Sequence, residues 1–189
     1  MPARKGDWLP TRVPFPASWH TLVSHRPTTE RRKTVLIEVP GREALRIDRL
    51  VVDVNGTIAV DGVVIPTAAS ALRDLSSRLR VVALTADTHG KATEMRAELG
   101  IDVHVIAAGH EEQQKWEFVE SLGSANVAAI GNGSNDARML RAAALGICVI
   151  GPEGAASACV LAADVVVGNI DDALGLLAHP RRLVATLRR

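Results

Sequence analysis

Residues 49–57 read RLVVDVNGT, an aliphatic run that ends in an aspartate and is followed by a glycine and a threonine. Unbroken runs of Val, Ile and Leu are typical of parallel strands that are buried on both faces. We therefore predict a buried strand over residues 50–54, with Asp53 at its carboxyl end. Gly56 favours a tight turn directly afterwards, because glycine adopts backbone conformations that other residues avoid.

The rest of the chain alternates between strand-like and helix-like patterns. Repeated strand–helix units of this length are typical of a parallel sheet with helices on both faces. The predicted fold class is α/β, a Rossmann-like doubly wound parallel sheet, with strands over 34–39 and from about Leu45 as an N-terminal hairpin addition. The other predicted strands are 81–85, 102–106, 126–131, 145–150 and 164–168, and the predicted helices are 67–79, 89–99, 111–122, 134–143, 153–162 and 170–178, with a basic helix or tail over 181–189.

The composition is that of a globular protein with an aliphatic core. Hydrophobic residues make up 47% and aromatic residues only 3%, and the formal net charge of +1 gives no reason to predict nucleic acid as a partner. No apolar run approaches the roughly 18–20 residues that cross a bilayer, and the N-terminus lacks the pattern of a signal peptide. We therefore expect no membrane partner and a cytoplasmic location. Cys148 and Cys159 are interpreted as buried free thiols.

The first 33 residues differ in composition from the remainder. They hold five of the nine prolines, three of the five aromatic residues, and seven Lys or Arg against two acids. This segment lacks the periodicity of a helix or a strand, so residues 1–33 are predicted to be a disordered extension and residues 34–189 the α/β domain. A partner-binding arm that uses Trp8 and Trp19 is one alternative, and a dispensable leader is another.

Polar residues that follow predicted strands are candidates for function, because ligands of such sheets bind outside the carboxyl ends of the strands. Asp53 ends one strand and could act as a nucleophile. Thr85, in LTADT (84–88), ends the next strand, and GNGSND (131–136) follows another and supplies oxygens suited to magnesium. Each has an ordinary alternative: a turn for 53–57, a helix cap for Thr85, and an N-cap with a turn for 131–136.

Lys115, inside the predicted helix 111–122, is the fourth candidate. Beyond residue 33 the chain has thirteen arginines but only two lysines, Lys91 and Lys115. A compact ammonium at this place could pair with both an aspartate and a phosphoryl group. A solvated helix lysine is the alternative. The four elements are more specific together than singly, because they occur in order and each lies in a strand–helix context.

In this order and context, the four elements resemble the motifs of the haloacid dehalogenase superfamily. DVNGT (53–57) is similar to D-x-D-G-T or D-K-T-G-T, LTADT to T-G-D, and GNGSND to G-D-G-x-N-D. Within the superfamily, the chain is similar to the phosphorylation domain of P-type ATPases and to its soluble, capless relatives. The resemblance covers roughly residues 35–178 and implies the superfamily's fold and a magnesium-dependent phosphohydrolase.

The resemblance also implies a role for each matching residue. Asp53 would become the aspartyl-phosphate, Thr85 would hold a phosphoryl oxygen, and Lys115 would neutralise charge on both. Residues of the same motifs assigned to cofactor binding are Gly56, Thr57, Ala86 and Asp87. The ligands of Mg²⁺ would be the Asp53 carboxylate, the backbone carbonyl of Asn55, and groups of Asn132 and Asp136.

Two asparagines depart from the superfamily's motifs. Phosphatases of the superfamily carry an aspartate as general acid/base where this chain has Asn55, and a positioned acid/base is typically worth about 10²–10⁴ in rate. Asn132 replaces a second aspartate and removes one negative charge from the metal site. We therefore expect a slow phosphohydrolase. The alternative is a catalytically weakened scaffold or regulatory binding protein, and dehalogenation is disfavoured because the Gly-Thr after the nucleophile and the metal-type loop fit phosphoryl transfer better.

The spacing of the motifs leaves no room for a cap domain. Only 27 residues separate Thr57 from Thr85, and 29 separate Thr85 from Lys115. The resemblance therefore implies a capless member with an open site. The expected partner is a phosphorylated substrate, either a small molecule or a phosphoprotein, and a homo-oligomer could close the site. ATP is not an obvious substrate, because the transport ATPases' nucleotide-binding domain has no counterpart in these intervals.

Overall fold

The computed structural model describes residues 34–86 and 92–188. The predicted extension over residues 1–33 lies outside these ranges, as does Asp87, so both stay predictions. The described strands are β1 (Val35–Ile37), β2 (Leu45–Ile47), β3 (Arg49–Asp53), β4 (Ala59–Val60), β5 (Val63–Val64), β6 (Arg80–Thr85), β7 (Asp102–Val105), β8 (Val127–Gly131), β9 (Leu145–Val149) and β10 (Val165–Val167). The described α-helices are α1 (Pro66–Ser76), α2 (Ala92–Leu99), α3 (Glu111–Ser121), α4 (Ala137–Ala142), α5 (Ser157–Ala162), α6 (Ile170–Ala178) and α7 (Pro180–Leu187).

The described strands form one large sheet and two hairpins. Six parallel strands lie in the order β10-β9-β8-β3-β6-β7, which confirms the predicted doubly wound sheet. β1 and β2 pair antiparallel, as the predicted N-terminal addition requires. β4 and β5 form a second antiparallel hairpin directly after the turn that follows β3.

β3 lies at the point where the strand order reverses. From β3 the chain adds β6 and β7 on one side, and it then crosses back to add β8, β9 and β10 on the other. Such a reversal separates the connections above the sheet and leaves a crevice at the carboxyl ends of the strands. Asp53 ends β3 at this crevice, with Thr85 at the end of β6 and Gly131 at the end of β8 on its two sides.

Aliphatic side chains on both faces of the sheet form the core. In β3, Leu50 and Val52 pack on one face with residues of α1, α2, α6 and α7. Val51 packs on the other face with residues of α3, α4 and α5. Helices therefore cover both faces, and burial of this aliphatic surface provides the main stabilisation of the fold. Among the described helices, none has the length and apolar character that a membrane crossing requires.

Two predicted elements differ from the structure. The helix predicted over 153–162 begins only at Ser157, because Gly151 and Gly154 have positive φ angles of 57° and 78° and hold the preceding residues in a loop. The predicted strands include none between Thr57 and the helix over 67–79, but this segment forms the β4–β5 hairpin. Asp61 and Gly62 turn this hairpin with φ angles of 51° and 76°, as a tight two-residue turn requires.

Candidate active site

Asp53 and Thr85 lie side by side at the carboxyl edge of the sheet. The β3–β6 register places Asp53 opposite Leu84, so Thr85 is the next residue along the neighbouring strand. Both side chains are buried, with exposed fractions of 6% for Asp53 and 4% for Thr85. The strand ends therefore bring together two residues that are 32 positions apart in the sequence.

Lys115 links Asp53 to Asp136. Its ammonium Nζ lies 2.6 Å from Asp53 Oδ1 and 2.6 Å from Asp136 Oδ1, and it donates a hydrogen bond to each. Lys115 is only 2% exposed although it lies on α3, and Asp136 is completely buried. Charged groups are seldom buried this deeply unless they are paired, so this ion-paired triad is the principal electrostatic feature of the site.

The other oxygen of Asp136 organises the loop that follows β8. The backbone N–H groups of Asn132 and Gly133 donate to Asp136 Oδ2 at 3.0 and 2.9 Å. A Cβ atom on Gly131 would lie only 2.5 Å from Asp136 Cγ, so glycine is required at the end of β8 for this close approach. Three protein donors thus occupy three of the roughly four acceptor sites of the Asp136 carboxylate, and Oδ1 keeps one site for a cation or for its bound water.

Thr57 connects Asp53 to Asn132 on the opposite side from Lys115. The Thr57 hydroxyl lies 3.2 Å from Asp53 Oδ2 and 3.2 Å from Asn132 Oδ1. A hydroxyl has one proton, so it donates to one of these acceptors at a time. Asp53 therefore has a partner on each carboxylate oxygen, and its orientation at the end of β3 is fixed from two directions.

Burial changes the proton affinity of the two central groups. Burial, together with the charge of Asp136, raises the pKa of the Asp53 carboxyl to about 7, although Lys115 and the Thr57 hydroxyl act in the opposite direction. Burial acts to lower the pKa of Lys115, but the carboxylates of Asp53 and Asp136 outweigh it and raise that pKa. Lys115 therefore stays charged. Its one positive charge is shared by the carboxylates of Asp53 and Asp136, so a further cation beside Asp53 would be electrostatically favourable.

A cavity of about 240 Å³ opens above Asp53. Asn55 and Ala86 line it together with Asp53, Lys115 and Asn132, so these predicted residues share one space. The cavity is smaller than typical drug-sized ligand pockets, which begin at about 300 Å³, and it suits a phosphoryl group with part of its substituent. Its lining also includes Gly133, Asn135 and Glu153.

Glu153 is the cavity residue that the sequence analysis missed. It lies in the loop between β9 and α5, within residues that were assigned to a helix. The signal that could have found it is the same one that found Asp53, because IGPEG (150–154) follows an aliphatic strand and places an acid between two glycines. A proline and two glycines argue against a helix beginning at residue 153.

A larger cavity of about 410 Å³ lies at the opposite edge of the sheet and carries no predicted site residue. Arg80 and Asp102, at the amino ends of β6 and β7, line it together with Arg96 of α2. The salt bridge between Arg80 and Asp102 is long, at 4.0 Å, and both side chains are exposed. Catalytic residues of doubly wound sheets lie at the carboxyl edge, so we place the active site at the smaller cavity.

The donor groups around the smaller cavity fit a hard cation such as Mg²⁺. The available ligands are the oxygens of Asp53, Asn55, Asn132 and Glu153, and oxygen ligands are those that Mg²⁺ prefers. Within the described residues, no group of three or more His, Cys, Asp or Glu side chains is arranged to hold a metal ion. That arrangement suits Mg²⁺ nonetheless, because Mg²⁺ is usually bound by one or two carboxylates together with water and substrate phosphate.

Gly56 is expected to be essential for the shape of the site. Its φ is +76°, and a Cβ atom there would lie 2.4 Å from Asn132 Nδ2 and 2.8 Å from Glu153 Oε2. We expect Gly56→Ala to lower the free energy of unfolding by about 2–4 kcal/mol, from backbone strain and these contacts together. Urea denaturation followed by circular dichroism measures this change.

Gly62→Ala is the matched control for Gly56→Ala. Gly62 has the same φ of +76°, but nothing lies within 4 Å of its Cβ position. Its substitution therefore reports the cost of backbone strain alone, about 1 kcal/mol. Equal losses of stability in the two variants would contradict the crowding of Gly56 against Asn132 and Glu153.

The fold and this site together define the haloacid dehalogenase class of proteins. Asp53, Thr85, Lys115 and the 131–136 loop meet at the carboxyl edge of a doubly wound parallel sheet, in the order of that class's motifs. A structural relative of this class is 3-deoxy-D-manno-octulosonate 8-phosphate phosphatase from Moraxella catarrhalis, which was crystallised with magnesium, phosphate and KDO. The TM-score is 0.58 with 20% sequence identity, and the match covers 75% of this chain and 94% of that one.

Two sequence relatives are each similar to part of the chain. An uncharacterized protein of Methanocaldococcus jannaschii is 49% identical over 84 residues, which are 42% of this chain and 90% of that protein. A copper-transporting ATPase of Oryza sativa subsp. japonica is 30% identical over 142 residues, which are 72% of this chain but only 14% of the transporter. No protein-family model matches the chain. The solved structures show that the chain has the haloacid dehalogenase fold, and the order of its site residues matches the motifs of that superfamily.

Proposed function

We propose that this protein is a magnesium-dependent phosphohydrolase that forms an aspartyl-phosphate on Asp53. The observation that carries the proposal is the ion-paired triad at the mouth of the sheet, where Lys115 holds Asp53 and Asp136 at 2.6 Å each beside a cavity of about 240 Å³. A buried carboxylate that is oriented on both oxygens and opens into a cavity of this size is suited to attack a phosphorus atom.

The reaction would proceed in two steps. A carboxylate oxygen of Asp53 attacks the phosphorus, the bond from phosphorus to the leaving oxygen breaks, and the leaving oxygen takes a proton from water. A second water molecule then attacks the phosphorus of the aspartyl-phosphate and loses a proton to solvent, which releases phosphate and restores the carboxylate. Lys115 stabilises the negative charge in both steps, and Thr85 is assigned to a phosphoryl oxygen.

The remaining residues of the site position these groups. Asp136 holds Lys115 and the 131–136 loop, and Oδ1, which accepts only from Lys115, keeps an acceptor site that could face the cation. Asp53, the backbone carbonyl of Asn55, Asn132 and Asp136 would hold the divalent cation. The cation would supply positive charge that offsets repulsion between Asp53 and the incoming phosphate.

The similarity to known proteins supports this proposal. The Moraxella catarrhalis protein is a phosphatase whose crystals contain magnesium and phosphate, and a related phosphatase from Haemophilus influenzae was solved in a cobalt-bound form. The match to the copper-transporting ATPase covers 72% of this chain. Between Thr57 and Thr85 the chain forms only the β4–β5 hairpin, α1 and β6. We therefore propose an open site that accepts a small phosphorylated molecule or a phosphoprotein.

Turnover of p-nitrophenyl phosphate or acetyl phosphate tests the proposal. We expect slow release of phosphate that stops when the cation is chelated and returns when Mg²⁺ is added. Inactivity toward both compounds and toward a panel of phosphorylated metabolites would contradict it. That result would favour the second candidate function, a scaffold that binds phosphate or metal without turnover, which Asn55 and Asn132 favour because each carries an amide where the superfamily's phosphatases have a carboxylate.

Asn55→Asp is expected to accelerate hydrolysis by about 10- to 100-fold, because it restores a proton donor and acceptor beside the reacting oxygens. Steady-state measurement of kcat with p-nitrophenyl phosphate reports the gain. Asn135→Asp is the control, since Asn135 lines the same cavity and the substitution adds the same charge. A similar acceleration in both variants would show that added charge, and not acid/base chemistry at residue 55, causes the effect.

A further inference from the structure

Glu153 lies at the site, but neither step of the proposed reaction uses it. It lines the cavity above Asp53, from the loop of residues 150–156 that connects β9 to α5. Its carboxylate oxygen Oε2 lies 2.8 Å from the Cβ position of Gly56, and Asn132 Nδ2 lies 2.4 Å from that same position. The side chains of Glu153 and Asn132 are therefore neighbours beside the turn that follows Asp53.

One hydrogen bond to the exposed side chain of Glu153 and the attachment of its loop place it beside the cavity. The backbone N–H of Asp61, at the tip of the β4–β5 hairpin, donates to Glu153 Oε1 at 3.4 Å. The loop is attached to Asn132 twice, because Asn132 Nδ2 donates to the carbonyl of Gly154 at 3.4 Å and the N–H of Ala156 donates to the carbonyl of Asn132 at 2.9 Å. Gly154 also closes the loop with a backbone hydrogen bond to the carbonyl of Gly151 at 3.3 Å. The carboxylate is thus directed toward the cavity by its own loop and by the hairpin.

The charge balance of the site indicates that a bound cation would need a second carboxylate. Asn132 can offer an oxygen to a cation but no charge, and the single charge of Lys115 offsets only one of the two carboxylates that it contacts, Asp53 and Asp136. A divalent cation beside Asp53 would then face a single uncompensated carboxylate unless another one approaches it. Glu153 is the acid that lines the cavity on the Asn132 side of Gly56.

We propose that Glu153 supplies the negative charge that Asn132 lacks, and that it holds the divalent cation together with Asp53, directly or through a water molecule. This inference rests on the proposed metal-dependent function and adds a metal-holding residue to it. Electrostatic partners of a bound metal typically change its affinity by about 10- to 100-fold. Loss of the Glu153 charge should therefore weaken cation binding by at least about tenfold.

Cation binding by the full chain, without substrate, tests the inference. We expect Glu153→Gln to weaken Mg²⁺ and Mn²⁺ binding by about tenfold or more in isothermal titration calorimetry. Glu38→Gln is the matched control, because Glu38 is exposed, follows β1 and lines neither cavity. The control should bind both ions as the wild type does, and the Tm of the metal-free proteins should stay the same.

A rescue variant distinguishes charge from structure. Asn132→Asp combined with Glu153→Gln restores the number of carboxylates next to Gly56, so its cation affinity should return to within about threefold of the wild type. Wild-type affinity in Glu153→Gln alone, or absence of cation binding by the wild-type chain at millimolar concentrations, would overturn the inference. Failure of the double variant to regain affinity would overturn it as well.

The outcome for Glu153 can be separated from the outcome for the proposed function. Weakened cation binding in Glu153→Gln together with no phosphatase turnover by the wild type would leave the metal site in place and reject the hydrolase. Metal-dependent turnover with unchanged cation affinity in Glu153→Gln would support the hydrolase and reject Glu153 as a metal-holding residue. The two measurements are independent because the calorimetric titration contains no substrate.

Discussion

Asp53→Asn is expected to abolish hydrolysis of p-nitrophenyl phosphate, with a loss of at least about a thousandfold in kcat. The amide is a far weaker nucleophile than the carboxylate, and loss of a covalent nucleophile commonly costs this much or more. The substitution preserves the shape of the side chain, and the amide oxygen can still accept from Lys115 or Thr57. Rapid quenching with labelled substrate should correspondingly trap no protein-bound phosphate.

Asp102→Asn provides the control for this loss of activity. Asp102 begins β7 at the opposite edge of the sheet, and its exposed side chain is only loosely paired with Arg80 at 4.0 Å. The same chemical change there should leave kcat within about twofold, since surface salt bridges contribute little. Turnover that survives Asp53→Asn would show that another group attacks the phosphorus, and the mechanism would have to be abandoned.

Lys115→Met is expected to lower the free energy of unfolding by about 3–5 kcal/mol, because it leaves two buried carboxylates without their shared cation. Lys115 is 2% exposed and lies 2.6 Å from each carboxylate, so water cannot replace its ammonium without rearrangement of the site. Urea denaturation at neutral pH measures the loss. We also expect activity to fall by about a hundredfold or more, since in the proposed mechanism the ammonium stabilises charge on the transferring phosphoryl group.

A second substitution shows whether the loss of stability comes from unpaired charge. Lys115→Met combined with Asp136→Asn removes one of the two orphaned charges while retaining an oxygen that can accept from the N–H groups of Asn132 and Gly133. The double variant should be more stable than Lys115→Met alone, with a coupling energy of about 1–3 kcal/mol. Additive losses in the two single variants would show that the cost lies in packing and not in the ion-paired triad.

The large sheet could be predicted from the sequence because its strands are aliphatic and are separated by helices of regular length. Leu50, Val51 and Val52 face both layers of the core, so the run that contains them has no polar alternation and indicates a doubly covered strand. The candidate site followed from the same reasoning, since polar residues directly after such strands must lie at one edge. The position of Asp53 and Thr85 after two such strands predicted that they lie together. In the structure, α3 brings Lys115 to Asp53.

The features that escaped prediction depend on short loops and on the choice between partners. Asp61 and Gly62 are a strong hairpin signal, but the two-residue strands on either side of them are too short to show alternation. Residues 155–162 are rich in alanine, and extending their helical pattern backwards concealed Glu153 in a loop. The motif also gave no sign that Asp136 pairs with Lys115 and orders the 131–136 loop, because these contacts depend on how α3 packs beside that loop.

The central position of β3 restricts how the protein can adapt to its substrate. β3 pairs with β6 as far as Asp53 and with β8 as far as Val52, so the proposed nucleophile is held at the end of a central strand and has little freedom to meet leaving groups of different size. Accommodation must instead come from the β4–β5 hairpin and the 150–156 loop, which meet through Asp61 and Glu153. Substrate breadth would then be altered by exchanging these two segments between homologues, while the reacting groups and the sheet beneath them remain unchanged.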